Sequence, residues 1–117
     1  MPATLAERLG HIIAAIGDIR DLLDGKTLAC LTTERATRAA LERFIEIISE
    51  ASRHIPREIR DKYPLTPWRD IENIGNRLRH GYDIVSTRVL WDIHDHEIDA
   101  LETVIVEIQS RLPKSGE

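Results

Sequence analysis

The sequence has one cysteine, Cys30, in 117 residues, and only one phenylalanine, two tyrosines and two tryptophans. A single thiol excludes an internal disulfide and supplies no paired-cysteine metal spacing. Aromatics are 4% of the chain against 42% hydrophobic residues, so the core must be built from Ile, Leu, Val and Ala. That composition suits packed helices better than a β-sandwich. No stretch approaches the roughly 20 apolar residues that span a bilayer. Glu7, Arg8 and His11 interrupt any basic-then-apolar leader pattern, and the expectation is a cytoplasmic protein with no membrane role. Positive charge is not in excess either. With 16 Lys and Arg against 20 Asp and Glu, the net charge is −4, which argues against wholesale electrostatic capture of nucleic acid. A local basic site remains compatible with that total, because Arg53, Arg57, Arg60, Lys62, Arg69, Arg77 and Arg79 all fall within one stretch.

What the chain does have is helical periodicity. Its length fits one domain, residues 1–117, able to bury roughly two thirds of the surface its unfolded form exposes. Over 4–24, Leu5, Leu9, Ile12, Ile16, Ile19 and Leu23 recur at spacings of four and three, which places them on one stripe. Thr4 followed by Glu7 suggests a capping box, and Gly25 a C-terminal stop. A second helix, capped by Thr32 or Thr33, is expected to run to about His54 with Leu41, Phe44, Ile48 and Ala51 inward. Pro56 then breaks it, and a short helical turn through Arg60 follows. Thr66 and Pro67 start a third helix that stops near His80. Ser86 caps a last helix whose stripe is Leu90, Ile93, Leu101, Val104 or Ile105, Ile108 and Leu112, with Pro113 at its end. Brief connections between helices of this kind predict an all-α, antiparallel up-and-down bundle of about four main helices.

Chemistry concentrates in Pro67–Asp83, PWRDIENIGNRLRHGYD. At about 100° per residue, Ile71, Ile74 and Leu78 share one sector, while Arg69, Asn73, Asn76 and His80 lie roughly opposite, with Arg77 at their edge. A surface helix can carry such a face with no function. This one, however, lacks the Glu and Lys that usually fill solvated faces, and asparagine is a poor helix former. An imidazole can give or take a proton near neutrality, and a guanidinium can hold a phosphate in a planar fork. Together they suit cleavage of RNA: a base withdraws the 2′-hydroxyl proton while cations stabilise charge developing on the phosphate oxygens. That scheme requires no metal and no cofactor.

Two other groups of residues could carry chemistry. Asp92, His94, Asp95, His96 and Glu97 are metal-capable types, but only Asp92 and His96 share a helical face, too few ligands for a competent site. Trp68 and Trp91 could stack on bases, although indoles more often pack helix ends together.

Four segments occur in order: Arg43 to Ala51 (RFIEIISEA), Tyr63 to Arg69 (YPLTPWR), Asn76 to Tyr82 (NRLRHGY) and Val89 to Ile93 (VLWDI). In them the chain resembles the HepT-like group of HEPN-domain proteins, ribonuclease toxins of HepT–MntA-type (type VII) toxin–antitoxin pairs. The resemblance implies a helical bundle that forms a homodimer with its active-site helices near the dimer axis. It implies a metal-independent endoribonuclease with RNA as substrate. A minimal nucleotidyltransferase antitoxin would be the partner, neutralising the toxin by transferring adenylate to a tyrosine. Carried over by position, His80 is the catalytic histidine, Asn76 the polar residue four before it, and Tyr82 the modification target. Arg77 joins His80 and Asn76 as a catalytic candidate, and Arg69, Asn73 and Arg79 are candidates for binding RNA phosphates. One position departs from the pattern: Gly75 stands where the family signature has an arginine. The alternative is therefore a catalytically impaired module that binds a nucleotidyltransferase, a nucleotide or RNA; a Gly75→Arg variant that gains activity would point to a decayed nuclease.

Overall fold

The computed structural model describes residues 2–80 and 85–113. Among them every regular element is helical, as the periodicity predicts. Helix α1 (Leu5–Leu23) starts at Thr4, whose hydroxyl accepts the Glu7 N–H at 3.1 Å. Gly25, at φ 73°, follows its end in the left-handed region that glycine enters without steric cost.

The connection after Gly25 is not a plain loop. It contains α2 (Leu28–Thr33), and α3 (Arg35–Ser52) begins after Glu34 rather than from a Thr32 or Thr33 cap. Two local contacts account for the difference. Thr27 caps α2 reciprocally with Cys30. Glu34 adopts an extended backbone, and its carboxylate accepts from Lys26 at 2.8 Å and from Thr37 at 2.9 Å. Helix α4 (Arg57–Arg60) follows Pro56, and α5 (Trp68–His80) follows Pro67.

The expected last helix is interrupted. Ser86 caps α6 (Thr87–Asp92) by accepting from Val89 N–H. A π-helical turn over Ile93–Glu97 separates it from α7 (Ile98–Arg111). The wider turn shifts the phase of everything after it. That is why a single 3.6-residue period leaves Val104 and Ile105 undecided; Ile105 is the fully buried one.

Leu9, Ile12, Ile16 and Ile19 of α1 form the centre of the core, with Leu41, Ile45 and Ile48 of α3 and Leu101, Ile105 and Ile108 of α7 around them. Helix α1 packs against both α3 and α7, and α5 packs against α3. Arg20, in the last turn of α1, pairs with Asp99 and with Glu102 (2.9 Å) at the start of α7, so these two helices run antiparallel. Arg53–Glu72 and Glu50–Arg79 link α3 to α5 in opposite chain order. No helix among the described residues is long and apolar enough to cross a membrane.

Candidate functional site

Helix α5 meets α3 through its glycine. Gly75 is the one buried residue of α5, whereas Ile71, Ile74 and Leu78, expected to form the inward sector, are only partly buried. A Cβ at position 75 would lie 2.0 Å from Ser49 Oγ and 2.4 Å from Ser49 Cβ. Ser49 is itself fully buried, and its hydroxyl donates to the Glu72 carbonyl at 3.2 Å. The two helices therefore touch at a point where neither has spare volume. An arginine at position 75 would project into α3 and not onto the outer face, so activity of a Gly75→Arg variant cannot serve as the test for a decayed nuclease.

With the inward pole at Gly75, the 100° steps place the polar ridge outward. Arg69, Asn73, Arg77, Arg79 and His80 are exposed, and Asn76 is half-buried. The ridge thus stands largely as the periodicity predicts, with two refinements. Arg79 leans toward α3, 3.7 Å from Glu50, leaving it off the outermost line. Asn76 is gripped by a residue from another helix. Arg53, following α3, donates through Nη2 to Asn76 Oδ1 at 2.5 Å and to the Glu72 carbonyl at 3.2 Å. A guanidinium has donors only, so it fixes the amide with its oxygen toward Arg53 and leaves Nδ2 to donate elsewhere.

Arg60 completes this support. It donates to Glu72 Oε2 at 2.5 Å and to the Ser52 carbonyl at 2.6 Å, and its guanidinium lies 5.5 Å from the Trp68 ring centroid. Trp68 Nε1 donates to the Tyr63 carbonyl, so this indole ties the start of α5 to the preceding loop. Arg53 and Arg60 belong to the basic stretch noted in the sequence, but their roles were not legible there. No periodicity within α5 reveals a guanidinium arriving from α3 or α4.

Two concavities flank α5. One is an open cleft of about 1000 Å³ between the end of α3, α4 and the first turns of α5, where Arg53, Arg57, Arg60, Trp68, Arg69 and Asn73 form much of the wall. The other is a groove of about 730 Å³ with Ile45 and Ile48 at its floor, bordered by Ile74 and Arg77 on one side and Val89, Ile93 and Val104 on the other. In the Asp92–Glu97 segment, Asp92 lies 3.9 Å from Arg88 and His96 3.3 Å from Asp95. Among the described residues no three His, Cys, Asp or Glu side chains gather as a metal site would need. Tyr82 lies outside the described residues.

A family profile described as "Ribonuclease HepT-like" matches residues 12–108. The chain is similar to a Caldanaerobacter subterraneus protein named "Putative RNase", 30% identical over 100 residues, covering 86% of this chain and 89% of the relative. A Methanocaldococcus jannaschii protein of the same printed name is 28% identical over 105 residues, covering 86% and 87%. A Thermococcus cleftensis protein named "Probable ribonuclease HepT" is 36% identical over 69 residues, covering 59% and 63%. No solved structure matches.

Proposed function

We propose, from the premise that the chain belongs to the HepT-like ribonuclease family, that it is a metal-independent endoribonuclease acting at the outer face of α5. The observation that carries this reading is the ridge itself: His80 shares one exposed side with Arg69, Asn73 and Arg77, and Asn76 is held in one orientation beside them. His80 takes the proton from a ribose 2′-hydroxyl, whose oxygen attacks phosphorus. The P–O5′ bond breaks, leaving a 2′,3′-cyclic phosphate on one product and, after protonation, a 5′-hydroxyl on the other. Arg77 offsets charge on the non-bridging oxygens, Asn76 Nδ2 donates to one of them, and Arg69 holds a phosphate further along the strand. Asn73 and Arg79 contact neighbouring phosphates.

A second copy of this chain is the proposed occupant of the apolar groove beside Arg77. Its rim carries Leu65, 97% exposed, and Val89, 41% exposed, an arrangement that a symmetric contact would cover. Such a dimer brings the two α5 ridges near its axis, so that a second His80 and further arginines can join each reaction. In the cell the enzyme would act as the toxin of a type VII pair. A minimal nucleotidyltransferase would be its antitoxin, adenylylating Tyr82.

Gly75 favours a second reading, a non-catalytic module that binds RNA or a nucleotidyltransferase, because no arginine stands on α5 directly before Asn76. Product analysis separates the two. Purified protein incubated with RNA in EDTA should yield fragments ending in 2′,3′-cyclic phosphate, and a 2′-deoxy substitution at the cut should block cleavage. No cleavage, or 3′-hydroxyl ends, would refute the proposed chemistry. Intact-mass measurement after co-expression with a nucleotidyltransferase tests Tyr82: an adenylate-sized increase lost in Tyr82→Phe is expected, and no increase removes the modification.

A further inference from the structure

We infer that the cleft formed by the end of α3, α4 and the first turns of α5 is a strand-binding subsite. It would hold the backbone of single-stranded RNA beside the phosphate cut at the His80 ridge. This rests on the ribonuclease reading of that ridge and extends it to a surface that lies beyond the ridge on α3 and α4.

The cleft is charged against the trend of the molecule. Arg53, Arg57, Arg60 and Arg69 line it against two carboxylates, Glu72 and Asp61, on a chain of net charge −4. Its arginines divide into two kinds. Arg53 and Arg60 are structural: they clamp Asn76, Glu72 and the Ser52 carbonyl. Arg60 thereby offsets the Glu72 charge at the cleft wall. Arg57 and Arg69 are exposed, and among the described residues neither forms an ion pair or a side-chain hydrogen bond. Two guanidiniums without anionic partners, held beside two fixed ones, attract phosphate with no internal salt bridge to break.

The location selects a strand over a mononucleotide. Arg69 and Asn73 belong both to the cleft wall and to the exposed side of α5 that ends at His80. From Arg69 to His80 the helix rises roughly 16 Å, enough for several phosphates of a strand stacked at about 3.4 Å each. A concave basic track with an indole, Trp68, in its wall is the arrangement that single strands occupy.

The test measures binding of a short fluorescein-labelled oligouridylate to the full chain carrying His80→Ala, over a range of salt concentrations. Adding Arg57→Gln should weaken binding by about tenfold. It should also lower the slope of log K against log salt by about 0.7, the value of one lost phosphate contact on a single strand. Arg57→Lys should keep the slope. Arg35→Gln, which removes an exposed charge at the opposite end of α3, should change neither quantity. The subsite is refuted if Arg57→Gln binds like its parent, if Arg35→Gln has the same effect, or if AMP displaces the oligonucleotide at equal phosphate concentration. Cleavage by the chain with His80 intact is scored separately. His80-dependent cleavage with an unchanged Arg57→Gln slope removes the cleft alone. A changed slope without any such cleavage removes the ribonuclease reading and leaves the cleft.

Discussion

Gly75 and Ser49 set the distance between α3 and α5, and the site depends on that distance because Arg53 reaches Asn76 across it. Adding one methyl group at position 75 forces a backbone shift, since Ser49 Cβ, unlike its hydroxyl, cannot rotate away. Gly75→Ala should therefore destabilise the protein by about 1–3 kcal/mol, the usual range for overpacking, and Gly75→Arg by more. Urea unfolding measures both. Pairing Gly75→Ala with Ser49→Gly should recover part of the loss, because the two residues are in contact; additive losses would mean the clash is not the cause. At Asn76 the cost should fall on chemistry. Asn76→Ala should lower kcat by about 10²-fold, the scale of one preorganised donor, with a smaller change in KM. An unchanged kcat would take Asn76 out of the mechanism.

At the scale of elements, periodicity located α1, α3 and α5 because each carries an apolar stripe long enough to set a phase. It missed α2, whose six residues are too few to establish one and whose start depends on the Thr27–Cys30 cap. It also missed the π turn, which changes the period itself. The exposed side of α5 was legible as a row of residue types. The packing of Gly75 on Ser49 was not, since a missing side chain leaves no mark on an apolar pattern. The corner between α2 and α3 has its own pH dependence. Hydrogen bonds from Lys26 and then Thr37 hold the Glu34 carboxyl below its ordinary range. A group whose pKa is lower in the folded state than in the unfolded one stabilises the fold above its unfolded value. That contribution fades as pH falls through the folded one. Wild type should thus exceed Glu34→Gln in stability at pH 7 and match it under strongly acidic conditions. A difference that persists in acid would assign the effect to packing.

For the whole molecule, the proposed reading would give assembly to the apolar groove beside α5 and substrate to the basic cleft on its other flank. If a second copy covers the groove, sedimentation should give twice the chain mass, and Val89→Glu should give monomers with reduced cleavage. A monomeric wild type that still cuts RNA would exclude the dimer from the mechanism. The proposed cleavage depends on His80, and the initial rate of RNA cleavage in EDTA for wild type and His80→Ala side by side tests it most directly. A loss of at least about 10²-fold in the variant, the lower bound of general acid–base catalysis, is predicted. Equal rates for the two proteins would contradict it.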